Sequence, residues 1–302
     1  MHFDLIRETE LLVASSATGL LFALTGTGGS SILTPIMTLI LGFTPNVAIP
    51  SDIVGSISMR ATTSFFNIRS GRRFKKIILW LVLGQLSGLG ASAIFLANIH
   101  LSNSTTDIVL GFTLSLIGCS LALKEFIKTK GERSLRKLTS YALLFLGGSI
   151  SGLAVAFTSV GGGVITYIAV ALAFPKLDTK SVIAIDATAG LMLSILASIE
   201  VISTGRGDAA VMVIIAAGGL LGCIGGEKIK GKVSSHLIKE AIAITVSFIG
   251  LIYLFRSHQF IAAATLGLLY LLALGLKKRS ASKNHPASVE SVQLTPIGAL
   301  EN

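Results

Sequence analysis

Two long apolar stretches of this chain are each broken by a cluster of glycines, and the breaks fall at matching points of an internal repeat. The first reads Gly19-Leu-Leu-Phe-Ala-Leu-Thr25-Gly26-Thr27-Gly28-Gly29-Ser30-Ser31-Ile32. The second reads Gly152-Leu-Ala-Val-Ala-Phe-Thr158-Ser159-Val160-Gly161-Gly162-Gly163-Val164-Ile165. Thr25 aligns with Thr158, Gly28 with Gly161 and Gly29 with Gly162. A bilayer tolerates unwound backbone only where protein or a water-filled cavity satisfies its polar groups. Glycine-interrupted segments at corresponding places in two halves are the strongest sequence pointer to a transporter's binding site. The expectation is a chain that carries a small solute across a membrane.

Composition agrees with that placement. Of the 302 residues 52% are hydrophobic and only 13% charged, against about 25% charged in a soluble domain. The net charge of +10 does not point to nucleic acid, because no basic patch is interleaved with aromatics. The basic residues instead form short blocks between apolar spans, as membrane topology requires. Cys119 and Cys223 lie inside apolar spans, at non-equivalent repeat positions, and read as small buried apolar residues. The apolar run from Leu11 to Leu24 has the length of a signal-peptide core. Its flank carries Asp4, Glu8 and Glu10 against Arg7, the wrong sign for a leader, so it reads as part of the mature protein.

The repeat extends beyond the glycines. Asp52 aligns with Asp186, Ser70-Gly71-Arg72 with Thr204-Gly205-Arg206, and Gly84 and Gly88 with Gly218 and Gly222. The offset is 133 residues at the breaks and 134 beyond them. Each unit therefore reads as a glycine-broken segment plus three long helices. The expected spans are 11–42, 46–67, 77–97 and 104–123, then 138–174, 178–202, 208–228 and 236–255. Most reach the roughly 20 residues of a bilayer crossing, whereas the arms 31–42 and 164–174 suit half-helices. The domain reading is a first repeat at 1–127, a second at 128–256, an extra transmembrane helix at 257–276 and a disordered cytoplasmic tail at 277–302.

Charge sets the orientation. The basic blocks at 69–76, 124–137, 228–239 and 277–279 are expected in the cytoplasm. The connections 43–46, 98–103, 203–208 and 256–258 hold only Arg206, Asp208 and Arg256 and are expected outside. Equivalent connections then face opposite sides, so the two units run through the membrane in opposite directions. Each broken segment must cross an even number of times. A re-entrant hairpin and a pair of short crossings both satisfy that rule.

Several side chains are candidates for the transport site. A helix starting near Ser31 and another near Val164 offer unpaired backbone N–H groups. Glycine allows close approach to those groups, and a helix N-terminus favours an anion by roughly 0.3–2 kcal/mol. Thr25, Thr27, Ser30, Thr158 and Ser159 add hydroxyls around Gly26, Gly28, Gly29, Gly161, Gly162 and Gly163. The competing reading is tight helix packing at these glycines. Arg60 sits mid-span, where a charge costs on the order of 2.5–3.5 kcal/mol; it either meets an anion or pairs with Asp52 or a carbonyl. Asp52 and Asp186 are equivalent carboxylates, and burial disfavours the charged form, which makes them candidates for proton coupling. For Asp52 the alternative is stabilisation of a first helical turn after Pro50-Ser51. Glu200 and Glu227 read as interfacial. The series Gly84, Gly88, Ala91 and Gly218, Gly222, Gly225, Gly226 reads as helix packing, with Gln85 a polar candidate for lining the path.

Enzyme motifs are missing. Neither glycine cluster continues into a phosphate-binding Gly-Lys-Ser, and Gly26 to Ser31 lacks the third glycine of a dinucleotide loop. The five histidines have no paired spacing, so no metal, cofactor or catalytic constellation is expected.

The paired glycine motifs, Thr25 to Ser30 and Thr158 to Gly163, resemble those of the TauE/SafE sulfite exporter family over about residues 10–255. The resemblance implies export of small sulfur-containing anions such as sulfite, sulfoacetate or other organosulfonates, without ATP hydrolysis in this chain. Unit one departs from the fuller Gly-Gly-Gly of unit two. The combined expectation is an all-α polytopic membrane protein of two inverted-topology repeats and one extra C-terminal helix, acting as a secondary transporter. Import, or a channel for another small anion, is the alternative. Expected partners are a small anion and membrane lipid, with no nucleic acid, and a homodimer among the expected assemblies. The expected location is the inner cell membrane, with a cytoplasmic C-terminus.

Overall fold

A computed structural model describes residues 5–25, 32–71, 74–98, 105–117, 137–160, 162–230, 235–256 and 267. The first glycine break from Gly26 to Ser31, Gly161, Cys119, most of the expected last span and the tail lie outside the described residues. Unit one contains α1 (Leu5–Thr25), α2 (Leu33–Pro35, widening into a π-helical turn at Ile36–Ile40), α3 (Pro45–Gly55), α4 (Ile57–Gly71), α5 (Lys75–Asn98) and α6 (Thr105–Ile117). Unit two contains α7 (Lys137–Thr158), α8 (Gly162–Ala173), α9 (Thr179–Ser203), α10 (Ala209–Ile229) and α11 (Ser235–Arg256). The order of elements is the same in both units, except that the single helix α9 corresponds to α3 and α4 together.

Local chemistry accounts for the boundaries. Pro45 opens α3 where no amide donor is required, and Asp178 caps α9 by accepting from the Ser181 amide at 3.2 Å. Asp208 caps α10 by accepting from the Ala210 and Val211 amides. The Arg206-Gly207-Asp208 turn is therefore a helix start. After Pro35 the helix widens, so that Leu41 N–H reaches the Ile36 carbonyl and Phe43 N–H the Met37 carbonyl. The Tyr253 hydroxyl on α11 is hydrogen-bonded to Thr38 in this wide turn.

The protein is apolar outside and polar inside. Phe65, Phe66, Leu79, Leu221 and Phe248 are exposed, whereas Ser51, Asp52, Arg60, Gln85, Thr166 and Asp186 are buried. Water would penalise that arrangement and lipid requires it. Among the described residues four helices are long and apolar enough to cross a membrane, at 75–95, 138–158, 181–203 and 209–229.

Helix pairing follows the repeat. α1 packs on α10 and α5 on α7, each pair parallel, through glycines that let backbones touch. Gly222 abuts the Ser16 carbonyl and its equivalent Gly88 abuts the Ser149 carbonyl, while Gly84, Gly218 and Gly226 make similar approaches. Packing is thus the role of these five. Gly225 has open space around it and Ala91 is exposed, so neither joins the seam. At the centre, α4 and α9 lie antiparallel. Ser64 donates to the Ala187 carbonyl at 2.6 Å, and its repeat equivalent Ser198 donates to the Ile53 carbonyl at 3.4 Å. Ile53 and Ala187 are themselves equivalents. Replacing Ser64 by Ala is expected to lower stability by about 1 kcal/mol, and Ser198→Ala by less, because the second bond is longer. Thermal unfolding of the detergent-solubilised variants measures both.

Candidate functional site

The second break forms where α7 ends. Ser159 adopts a left-handed φ of 62° and Val160 is non-helical. The chain then reverses, and α8 runs back antiparallel along α7. The Gly162 carbonyl accepts from Ser151 Oγ at 3.1 Å, and the Ala173 carbonyl accepts from Ser140 at 3.0 Å. α7 has 22 residues and α8 has 12, lengths of about 33 and about 18 Å. The segment is therefore a hairpin of one full-length and one half-length helix. α8 begins beside Ser151, about two turns before the end of α7.

Asp52 ties this break to unit one. Its Oδ2 accepts from Ser159 Oγ at 2.5 Å and from Thr34 Oγ1 at 2.6 Å. Ser159 belongs to the second break, and Thr34 lies in the short arm that follows the first. Ile32, at the start of that arm, shares a hydrophobic cluster with Val160 and Val164. The short arm after the first break thus meets the second break around one buried carboxylate. Asp52 is seven residues into α3, which starts at Pro45, so it does not cap a first turn.

Arg60 is buried on α4, after the chain bends at Ser56. Its guanidinium lies 5.8 Å from the Phe22 ring of α1 and presses against Gly190 of α9. It interacts with Asp186 of unit two and, more weakly, with Asp52 on its own side. Gly190 is one turn from Leu193, against which the start of α8 packs. The cation and the N-terminus of a half-helix therefore share one stretch of α9. Asp186 interacts electrostatically with Tyr167 of α8, whereas Asp52 accepts a hydrogen bond from Thr34 of α2. Position 167 is the repeat equivalent of position 34.

The remaining candidates divide. Gly162 and Gly163 are buried and form the first residues of α8 rather than part of the unwound break. Thr25 and Thr158 are buried, but their hydroxyls donate to their own helices, at the Leu21 and Ala154 carbonyls. The Thr158 hydroxyl also accepts from the Val160 amide in the break at 3.2 Å, and of the hydroxyl candidates within the described residues Ser159 is the one that reaches another helix, at Asp52. Gly26, Thr27, Gly28, Gly29, Ser30 and Gly161 lie outside the described residues. Gln85 is fully buried and donates to Thr166 at 3.5 Å, which donates to Ser151 at 3.3 Å, a polar chain ending at the Gly162 carbonyl. Glu200 and Glu227 pair locally with Arg206 and Lys230. Among the described residues no group of acids, histidines and cysteines has the makings of a metal site.

Sequence reading missed Thr34, Gly190 and the Ser64/Ser198 pair. The serines carried a usable signal, since they match at the same 134-residue offset as the aspartates. Thr34 carried none, because a threonine within a helix more often bonds its own turn.

Comparison with known proteins adds a family. The family model described as Sulfite exporter TauE/SafE matches residues 11–253. The chain is 29% identical over 231 residues to Probable membrane transporter protein YjnA of Bacillus subtilis (strain 168), covering 72% of this chain and 85% of that protein. No solved structure matches.

Proposed function

This chain belongs to the TauE/SafE sulfite exporter family of membrane transporters, and on that premise we propose that it is a secondary transporter of small sulfur-containing anions. Sulfite, sulfoacetate and related organosulfonates are the substrate class, and export is the favoured direction in the cell. The observation that carries this reading is a buried arginine against Gly190 of α9, one turn from Leu193, on which the start of a half-helix packs. An anion there would meet the Arg60 guanidinium and the unpaired amides around Gly162 and Gly163. Thr25 to Ser30 would supply the other wall, and Asp52 and Asp186 would couple protons.

The proposed architecture is a pair of inverted-topology repeats that rock about this site. The antiparallel course of α3–α4 against α9 supports it, as do the reciprocal serine bonds across their crossing. The proposed location is the inner membrane with a cytoplasmic C-terminus, following the basic blocks. Purified protein in liposomes is expected to exchange labelled sulfite or sulfoacetate saturably, and excess unlabelled sulfonate should compete. Tight vesicles that exchange neither anion at any imposed proton gradient would remove this function. A channel would pass the anions without counterflow.

A further inference from the structure

Resting on the anion-transport reading, we propose that Asp52 takes up a proton together with the anion, so that the two cross in the same direction. The argument begins from the charges around the carboxylate. α3 packs against α2, α4, α7, α9 and α10. α2 contributes no ionisable side chain, and the tip of α7 leads into Ser159, so both bring hydroxyls. α4 brings Arg60, and α9 brings Asp186, which shares that arginine. The other acids on these elements are already held: Asp208 by the amides of α10, Glu200 by Arg206, and Glu227 by Lys230. Arg69, Lys137, Lys180 and Lys228 stand at helix ends, and the first break, Gly26 to Ser31, contains no ionisable residue.

One guanidinium thus faces two carboxylates. With both ionised the cluster is net negative and repels an anion. A proton on either carboxylate cancels that charge, so proton and anion each strengthen the other's binding, and by linkage they do so equally. Geometry selects Asp52 over Asp186 as the carrier. Arg60 interacts with both carboxylates, so the selection rests on the two hydroxyls at Asp52, which come from the broken segments that would hold the anion. Asp52 also has a place for the proton: its Oδ2 is fixed by Thr34 and Ser159, and its buried Oδ1 has no hydrogen-bond partner among the described residues. A charged oxygen left bare in that way is costly, and a proton placed on it removes the cost. The proton comes from water on the side to which the site is open, binds Oδ1, and is returned to water on the other side. Both hydroxyls on Oδ2 belong to the broken segments, so protonation acts on the parts that would hold the anion.

The coupling has a directional consequence. A proton gradient drives the anion toward the alkaline side, and export against an inward proton gradient runs only down the anion's own gradient. The test uses the full chain in liposomes with a trapped pH-sensitive dye. Methanesulfonate, which is ionised throughout the accessible pH range, serves as the driven anion, and labelled sulfite and labelled methanesulfonate exchange are measured first at equal pH. Inward methanesulfonate movement is expected to acidify the lumen, and exchange is expected to quicken as pH falls. Asp52→Asn is expected to abolish the acidification and flatten the pH profile. Asp52→Glu, which keeps a carboxyl, is expected to retain acidification with a shifted profile. Exchange without acidification in the wild type overturns the proposal and leaves anion transport standing; so does acidification by Asp52→Asn equal to the wild type's. A Glu variant with an unshifted profile also counts against Asp52. Failure of either label to exchange at any pH strikes the transport reading itself.

Discussion

Arg60→Gln is expected to abolish saturable anion exchange in liposomes, a loss of 100-fold or more, on the order of 3 kcal/mol of lost binding. Among the described residues the Arg60 guanidinium is the buried cation that interacts with Asp52 and Asp186, so its loss leaves two carboxylates facing an incoming anion. The same substitution is expected to destabilise the protein by roughly 3–5 kcal/mol, because removing one partner strands a buried charge. The two effects are separable. The double variant Arg60→Gln with Asp186→Asn removes the stranded charge and is expected to recover thermal stability without recovering exchange. Gly190→Ala approaches the same group from the opposite side. A methyl there would sit 2.7 Å from Arg60 Nη1, so the guanidinium must move away to make room. The expected readout is a raised KM with a retained fold. Normal exchange by Arg60→Gln would place the anion elsewhere.

Gly88→Leu and Gly222→Leu are each expected to prevent folding into a monodisperse detergent-solubilised protein. A Cβ at either position would collide with a backbone carbonyl, that of Ser149 or Ser16. A carbonyl on a packed helix cannot swing aside as a side-chain tip can. Even alanine is expected to cost about 1–3 kcal/mol through overpacking. Gly90 and Gly225 are the controls, since nothing lies within 4 Å of a Cβ at either. Alanine there is expected to be neutral or to gain up to about 1 kcal/mol from helix propensity. Size-exclusion profiles and thermal unfolding distinguish the four variants. Equal loss in all of them would mean that the seams between α1 and α10 and between α5 and α7 are not set by glycine.

Much of the fold was legible in the chain because the bilayer reduces choice. Every amide in lipid must be bonded internally, so an apolar run of sufficient length becomes a helix almost without regard to its neighbours. The expected interruption is present but shorter than Thr158 to Gly163: α7 runs to Thr158, and α8 starts at Gly162, two residues before Val164. The expected single span 46–67 is instead two helices, α3 and α4, divided at Ser56. The equivalent α9 carries Gly190 at that position and stays continuous, so glycine content did not forecast where a helix bends. The arm after the first break starts at Leu33, with Pro35 widening its second half.

The site was legible only as a list of unusual residues. Arg60, Asp52 and Asp186 stood out because charge is scarce in an apolar span, and the repeat alignment paired the two aspartates. For Arg60 the sequence offered an anion, or a structural pairing with Asp52 or a carbonyl; the fold also brings Asp186 of the other unit into interaction with it. Thr25 and Thr158 looked like donors to a ligand, yet each bonds a carbonyl of its own last turn.

The chain by itself determined that there are two copies of one helical pattern, where the second copy breaks, and which few charges lie in apolar surroundings. Those properties depend on composition and period within a short window, and lipid enforces them locally. Only the tertiary structure decided that a serine of the second break and a threonine of the first unit's short arm meet on one carboxylate. It alone placed the Arg60 guanidinium against α9. Both contacts join residues more than a hundred positions apart or in separate helices, and they follow from how antiparallel helices cross and which backbones glycine lets touch. No local rule of sequence records that geometry.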